Sequence, residues 1–430
     1  VSTEFLAHGL GGRTDLPLNG AAAVVGGALA VAVSFVALLA LWSKPWLDPE
    51  AGRPVRFAAV NSARLRGAAR IVVLLLAVFV VAVGFFGPAE TNANLAPWAL
   101  FVTFWVGLIP ASVLLGPVWR AVNPLRTVLS ALRLGRDPRP VPGWLGYRVA
   151  TAWLLGFVWL ELVAPNRADP RLVAALILGY ALLNLAAAAR YGPAWFERGD
   201  GFEVYSTLLA RCAPLGRRSD GRLILRNPLA GLVRPDPVPG LAGLACVLIG
   251  STAFDGLTRT SWWQALLNAT PLPDVLVATG GLVVSIAGIS VLYFGSMRLS
   301  AVVSGSSEPL AARFAATLLP IAVGYGVAHY FSFFVIEGQQ PFILAGDPFG
   351  TGLDLFGSAG DAPDYSVLSP GAVAMVQINA IVLGHLASTA AAHDQALRSF
   401  DARAARLGQL PVVVAMVLLT GTGLLLLLSG

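Results

Sequence analysis

The sequence predicts an all-α integral membrane protein, a polytopic bundle of ten transmembrane helices with both termini extracytoplasmic. Three observations lead there. The chain has 430 residues, of which 56% are hydrophobic and only 12% charged. Soluble domains carry about 25% charged residues. Apolar runs recur at the length of about 20 residues that a helix needs to cross a bilayer. The basic residues collect in alternate loops, as the positive-inside rule requires.

Residues 1–20 read as a polar, glycine-rich outer arm containing His8 and Asp15. The first span covers 21–43. It is read as a span and not a signal peptide, because no basic segment precedes it and Ser43-Lys-Pro-Trp46 follows it where small residues would mark cleavage. Spans two to five are expected over 71–88, 97–118, 149–164 and 172–189, so that 21–190 holds the first five helices. Residues 191–240 form an Arg-rich cytoplasmic loop. Within it, Trp195 to Leu209 carries Trp195, Phe196, Phe202 and Tyr205, aromatic residues suited to an interfacial helix in the headgroup layer. The second five helices lie in 241–430. Span six, 241–256, is short and broken by Gly250-Ser-Thr and Asp255-Gly. Spans seven to ten follow over 275–297, 313–336, 371–392 and 410–428, with an acidic outer loop over 337–370.

With the N-terminus outside, every lysine and arginine but Arg13, Arg167, Arg171 and Arg259 falls on the cytoplasmic side. The formal charge of +6 therefore reports orientation and not nucleic acid. Lys44 is the one lysine among 29 basic residues, a bias that suggests a GC-rich bacterial genome and hence a bacterial inner membrane. Five spans per half would give the halves opposite orientation, the layout of inverted-repeat transporters. The halves show no self-similarity beyond Asn123-Pro-Leu and Asn227-Pro-Leu, which read as two turns using Asn-Pro for its local chemistry. Cys212 in a loop and Cys246 in a span do not form a disulfide framework. No P-loop, nucleophile elbow, HExxH or CxxC is present, so this chain does not hydrolyse ATP by a P-loop.

Titratable groups at membrane depth carry the functional signal, since their cost there is high. Three of the four histidines, His329, His385 and His393, lie between Arg313 and Arg398. Tyr325, His329 and Ser332 share one face of span eight. Gln377 and His385 share a side of span nine, continued by Ser388 and Thr389. These stripes face one another in the simplest arrangement, either as interhelical hydrogen bonds or as a pathway for a substrate or a proton. His329 and His385 differ in depth by roughly 10 Å, which disfavours one shared metal. Glu161, Asp255, Glu337 and His8 gather toward the outer side and, with His329, form a candidate set for a divalent metal ion. An Asp255–Arg259 ion pair competes with that reading. His393-Asp394 reads as a capped, solvated helix end.

The stretches Ala7-His-Gly-Leu-Gly-Gly-Arg-Thr-Asp-Leu-Pro17, Gly250-Ser-Thr-Ala-Phe-Asp-Gly256, Gly384-His385 and Ala392-His393-Asp394 resemble a group of polytopic membrane proteins, common in actinobacteria, labelled fenitrothion hydrolase. The resemblance covers most of the chain in layout and implies a membrane-bound organophosphate hydrolase. In that group cleavage after Ala7 would leave His8 N-terminal and able to bind copper, but Phe5 at the −3 position argues against cleavage here. The four histidines of this chain are dispersed, unlike the dense ligand set of a phosphotriesterase. The leading expectation is therefore transport or permeation of a small solute or metal ion across the lipid bilayer. The alternatives are the metal-dependent phosphotriester hydrolase and a non-catalytic subunit docking with a partner in a membrane complex.

Overall fold

The computed structural model describes residues 20–55, 62–233, 237–358 and 360–429. The outer arm with His8 and Asp15 lies outside the described residues. The described residues are mainly helical: α1 (Gly20–Leu41), α2 (Ala63–Phe86), α3 (Leu95–Leu115), α4 (Pro124–Ala131), α5 (Arg148–Leu162), α6 (Pro170–Tyr191), α7 (Gly201–Leu209), α8 (Leu241–Thr258), α9 (Ser261–Ala269), α10 (Asp274–Ser304), α11 (Leu319–Ile336), α12 (Pro370–Ser399) and α13 (Leu410–Ser429). Among the described residues, nine helices are long and apolar enough to cross a membrane. The expected fourth span is the 15-residue α5, shorter than the usual crossing length. Several of the nine carry apolar side chains on open faces: Val283, Val284 and Val291 of α10 are exposed, as are Leu75, Leu76 and Val78 of α2, a pattern compatible with a membrane surface.

The described residues within 55–210 and 332–368 form one compact unit, and those within 20–54, 211–331 and 369–429 form another. The units interleave along the sequence, so neither coincides with one half of the chain.

In the first unit, helix contacts are made over small residues. A Cβ on Gly84 would stand 2.7 Å from that of Ala174. Asn94 fastens the turn between α2 and α3: its amide donates to the carbonyls of Val83 and Pro88, and its oxygen accepts from Ala96 N–H. The middle of α3, Ala99–Val106, is π-helical and carries Trp105, which stacks on Tyr205 at 4.8 Å between centroids. The interfacial helix expected around 195–209 is not on the surface. Nearly all of α7 is buried, and Phe202 sits among Phe104, Phe157 and Tyr180. Edge-to-face packing within the protein takes up the aromatic surface that was assigned to the headgroup layer. The acidic loop is ordered by its own carboxylates. Asp347 accepts from Thr351 and Gly352 N–H, and these bonds hold its carboxyl below the usual range.

In the second unit, α8 is continuous where a break was expected. Ser251 and Thr252 hydroxyls donate to the Leu248 carbonyl of their own helix, so their polarity is satisfied without breaking it. Gly250 is needed for another reason: a Cβ there would lie 2.6 Å from Ile286 Cα of α10. The tightest crossing is that of α11 and α12. Gly324 and Gly384 face each other, and a Cβ on Gly384 would meet the Pro320 carbonyl at 2.7 Å and Gly324 Cα at 3.2 Å. Close backbone approach over small residues is a principal attraction between helices in an apolar solvent. The end of α12 is buried, in contrast to the expected solvated terminus. His393 bonds the Trp42 carbonyl and Gln409, and Asp394 accepts from Trp46 and Leu47 N–H and from Arg398. These bonds tie the segment after α1 to α12. A small antiparallel sheet, β1 (Arg53–Pro54), β2 (Leu215–Arg217) and β3 (Leu223–Leu225) in the order β1-β3-β2, was not foreseen. The two Asn-Pro turns do behave as local devices: Asn123 accepts from Leu125 N–H in the first unit and Asn227 from Leu229 N–H in the second.

Gly384→Ala should lower stability in detergent by about 1–3 kcal/mol, because both obstructing groups are backbone and cannot rotate away. Gly288→Ala, in the interior of α10 where an added Cβ meets nothing within 4 Å, should keep or raise the thermal midpoint. Equal midpoints for the two variants would show that the crossing is loose.

Candidate functional site

The second unit brings three ionisable side chains together. Asp255 lies in the last turn of α8, and Arg259 follows the helix end four residues on, so both project on one side. His329 comes from α11. Its Nε2 is in close ion-pair contact with Asp255 Oδ2 and hydrogen-bonds with Arg259 Nη2 at 3.0 Å. Arg259 Nη2 is 4.0 Å from Asp255 Oδ1. The Asp255 side chain is 1% exposed, His329 9% and Arg259 23%. The His329 ring stands edge-on to Tyr330.

The geometry contains a conflict. An imidazole nitrogen either donates a proton or offers a lone pair. When Nε2 carries hydrogen the imidazole is an electrostatic partner for Asp255, and the Arg259 N–H then faces another donor. When Nε2 is bare it accepts from Arg259, and the Asp255 carboxylate then faces a lone pair. The three groups therefore have two exclusive arrangements, one hydrogen-bonded and one charge-paired, that differ in where one proton sits. A charged carboxylate buried among apolar helices is retained only with such compensation.

The other expected residues are distributed as follows. Tyr325, one turn before His329, donates its hydroxyl to the Leu419 carbonyl at 2.9 Å, over Gly423. Its ring stands edge-on to His385 at 5.7 Å. The polar sides of α11 and α12 thus meet at Tyr325 and His385, while His329 turns to α8. His385 is fully buried. Its Nδ1–H donates to the Ile381 carbonyl at 2.9 Å, which leaves Nε2 as the lone-pair nitrogen, without a hydrogen-bond partner among the described residues. Ser388 donates to the Thr317 carbonyl, a bond from α12 to a neighbouring segment, and Thr389 to the His385 carbonyl of its own helix. Gln377 is half-buried on α12 and is not among the partners of His329. Ser332, Glu161 and Glu337 belong to the first unit. Ser332 and Glu161 are buried, and Glu337 accepts from the Tyr365 hydroxyl at 3.3 Å. Among the described residues, no three His, Cys, Asp or Glu side chains are grouped as a metal ion requires.

A second buried cluster, in the first unit, carried no sequence signal beyond Asn123-Pro. Asp200 caps α7, accepting from Glu203 N–H and from the Tyr180 hydroxyl at 2.7 Å. Asn123 donates to both Asp200 and Glu203, and Arg126 grips Glu203 with two nitrogens. Both carboxylates are wholly buried. Burial pushes the Asp200 carboxyl up to about 6 against the bonds it accepts from Tyr180, the Glu203 backbone and Asn123, with the Glu203 charge adding to the rise.

Two tests follow. Asp255→Ala leaves the Arg259 guanidinium without its counter-charge, and should cost about 2–3 kcal/mol, discounted for the partial exposure of Arg259. Asp255→Ala/Arg259→Met should recover most of that loss in a double-mutant cycle; additive losses would deny the coupling. For Asp200, the folded carboxyl is a weaker acid than the unfolded one at 3.8. Its stabilising contribution is complete below pH 3.8 and lost as pH rises to about 6. Thermal unfolding of Asp200→Asn should therefore lack a decline over that interval that the unsubstituted protein shows. Superimposable pH profiles would remove the carboxylate from the account.

No protein-family model, curated protein or solved structure matches the chain.

Proposed function

We propose that this is a bacterial inner-membrane protein, with both termini outside, that moves a small solute and exchanges a proton at the Asp255–His329 pair. The observation that carries the reading is the shared Nε2: one imidazole nitrogen between a carboxylate and a guanidinium, in helices otherwise built of apolar residues. Ionisable groups inside a membrane bundle are characteristic of substrate and proton pathways. The two arrangements at Nε2 give the proton a place to be held or released. The basic loops support the orientation.

The hydrolase implied by the resemblance would need a metal ion to activate water. Asp255 and His329 are the pair best placed to begin such a site. The positive charge of Arg259 at 3.0 Å from His329 Nε2 repels a cation there, which favours the transport reading.

Proteoliposomes enclosing a pH-sensitive dye, given an inward proton gradient and then anionic, cationic or neutral solutes, test it. One class should drive proton entry well above that of protein-free vesicles, and Asp255→Asn should reduce it at least tenfold. If no class raises proton entry over the protein-free control, the reading is wrong.

A further inference from the structure

We infer that Arg259 is a receptor for a small oxyanion, a carboxylate or phosphate group, and that the solute is accordingly anionic. The inference rests on the transport reading for the fate of the ligand and not for its binding.

The guanidinium is charge-paired with Asp255 and bonded to His329, but its hydrogen-bonding fork is not filled. Its Nη2 contacts a His329 nitrogen that Asp255 also engages, and Asp255 Oδ1 stands at 4.0 Å, beyond a hydrogen bond. Its Nε is buried with no hydrogen-bond partner among the described residues. The neighbouring polar side chains do not compete for it. The Thr258 hydroxyl donates to the Asp255 carbonyl, Thr260 to that of Leu257, and Gln264 to that of Thr258. Arg259 is also the most exposed of the three ionisable groups, at 23% against 1% and 9%, so the cluster is approached through it.

A guanidinium presents parallel N–H groups in a rigid fork that matches two oxygens of a carboxylate or phosphate. Such an oxyanion would accept from Nε–H and Nη2–H together. It would satisfy the buried donor and draw Nη2 away from His329. Nε2 would then serve Asp255 alone, and the conflict at that nitrogen would end. A cation gains none of this, since the group it would meet first is positively charged.

The test is equilibrium binding of radiolabelled inorganic phosphate and acetate to the full chain in detergent. The unsubstituted protein should bind at least one of them saturably. Arg259→Gln should abolish binding, and Arg259→Lys, which keeps the charge but loses the fork, should weaken it at least tenfold. The exposed-arginine control Arg222→Gln should change nothing. Absence of saturable binding of either anion to the unsubstituted protein would overturn the inference, as would undiminished binding by Arg259→Lys, which also decides the matter if Arg259→Gln fails to fold. Competition by a short-chain anionic phospholipid would identify a lipid headgroup as the source of the oxyanion; an unmoved isotherm would identify a free solute. Anion binding without solute-driven proton entry would leave this site standing and remove transport. Proton entry driven only by cationic or neutral solutes, with no anion bound, would do the reverse.

Discussion

A polar group buried in a bundle of apolar helices is costly unless another group of the chain answers it, because solvent does not reach it. Much of the interior follows from that constraint. Ser251 and Thr252 are answered by a carbonyl of their own helix, which keeps α8 intact. Asp394 is answered by two backbone N–H groups and Arg398, which fixes the segment after α1. Asp200 and Glu203 are answered by Tyr180, Asn123 and Arg126, which lock α7 in the first unit. Each of these is complete. At Asp255, Arg259 and His329 the demand is met in two incompatible ways, and that distinguishes a structural network from a candidate site.

Close helix approach works alongside polar satisfaction. Lipid tails give helices no hydrophobic reason to associate, so contact area and backbone proximity matter more than in water. Gly324 and Gly384 bring α11 and α12 together, and the same crossing holds Tyr325 against His385. His329, one turn along α11 from Tyr325, is thereby aimed at α8. The packing of glycine on glycine and the placement of the histidine are consequences of one helix rotation.

Burial also changes what an aromatic or acidic residue means. Trp195, Phe196, Phe202 and Tyr205 have the composition of an interfacial helix, yet they pack inside the first unit. Asp347 and Asp364, in a loop that reads as an acidic surface, accept hydrogen bonds from their own loop. Identical residues serve either purpose, and only their neighbours decide which.

Sequence alone determined the helical class and nearly every long apolar helix, because hydropathy accumulates along a chain and is a one-dimensional property. It also singled out Asp255, Arg259, His329 and His385, since an ionisable group in an apolar run is conspicuous without any knowledge of its partner. The i, i+4 spacing even placed Asp255 and Arg259 on one side. The tertiary structure decided the partners. Gln377 and the rest of span nine were as plausible for His329 as span six, because helix order in space and rotation about each axis depend on packing between segments distant in sequence. The buried state of His393-Asp394, the Asp200–Glu203 cluster and the depth of α7 were undetermined for the same reason. Polarity is written in the residues, while whether water or protein answers it depends on what folds against them.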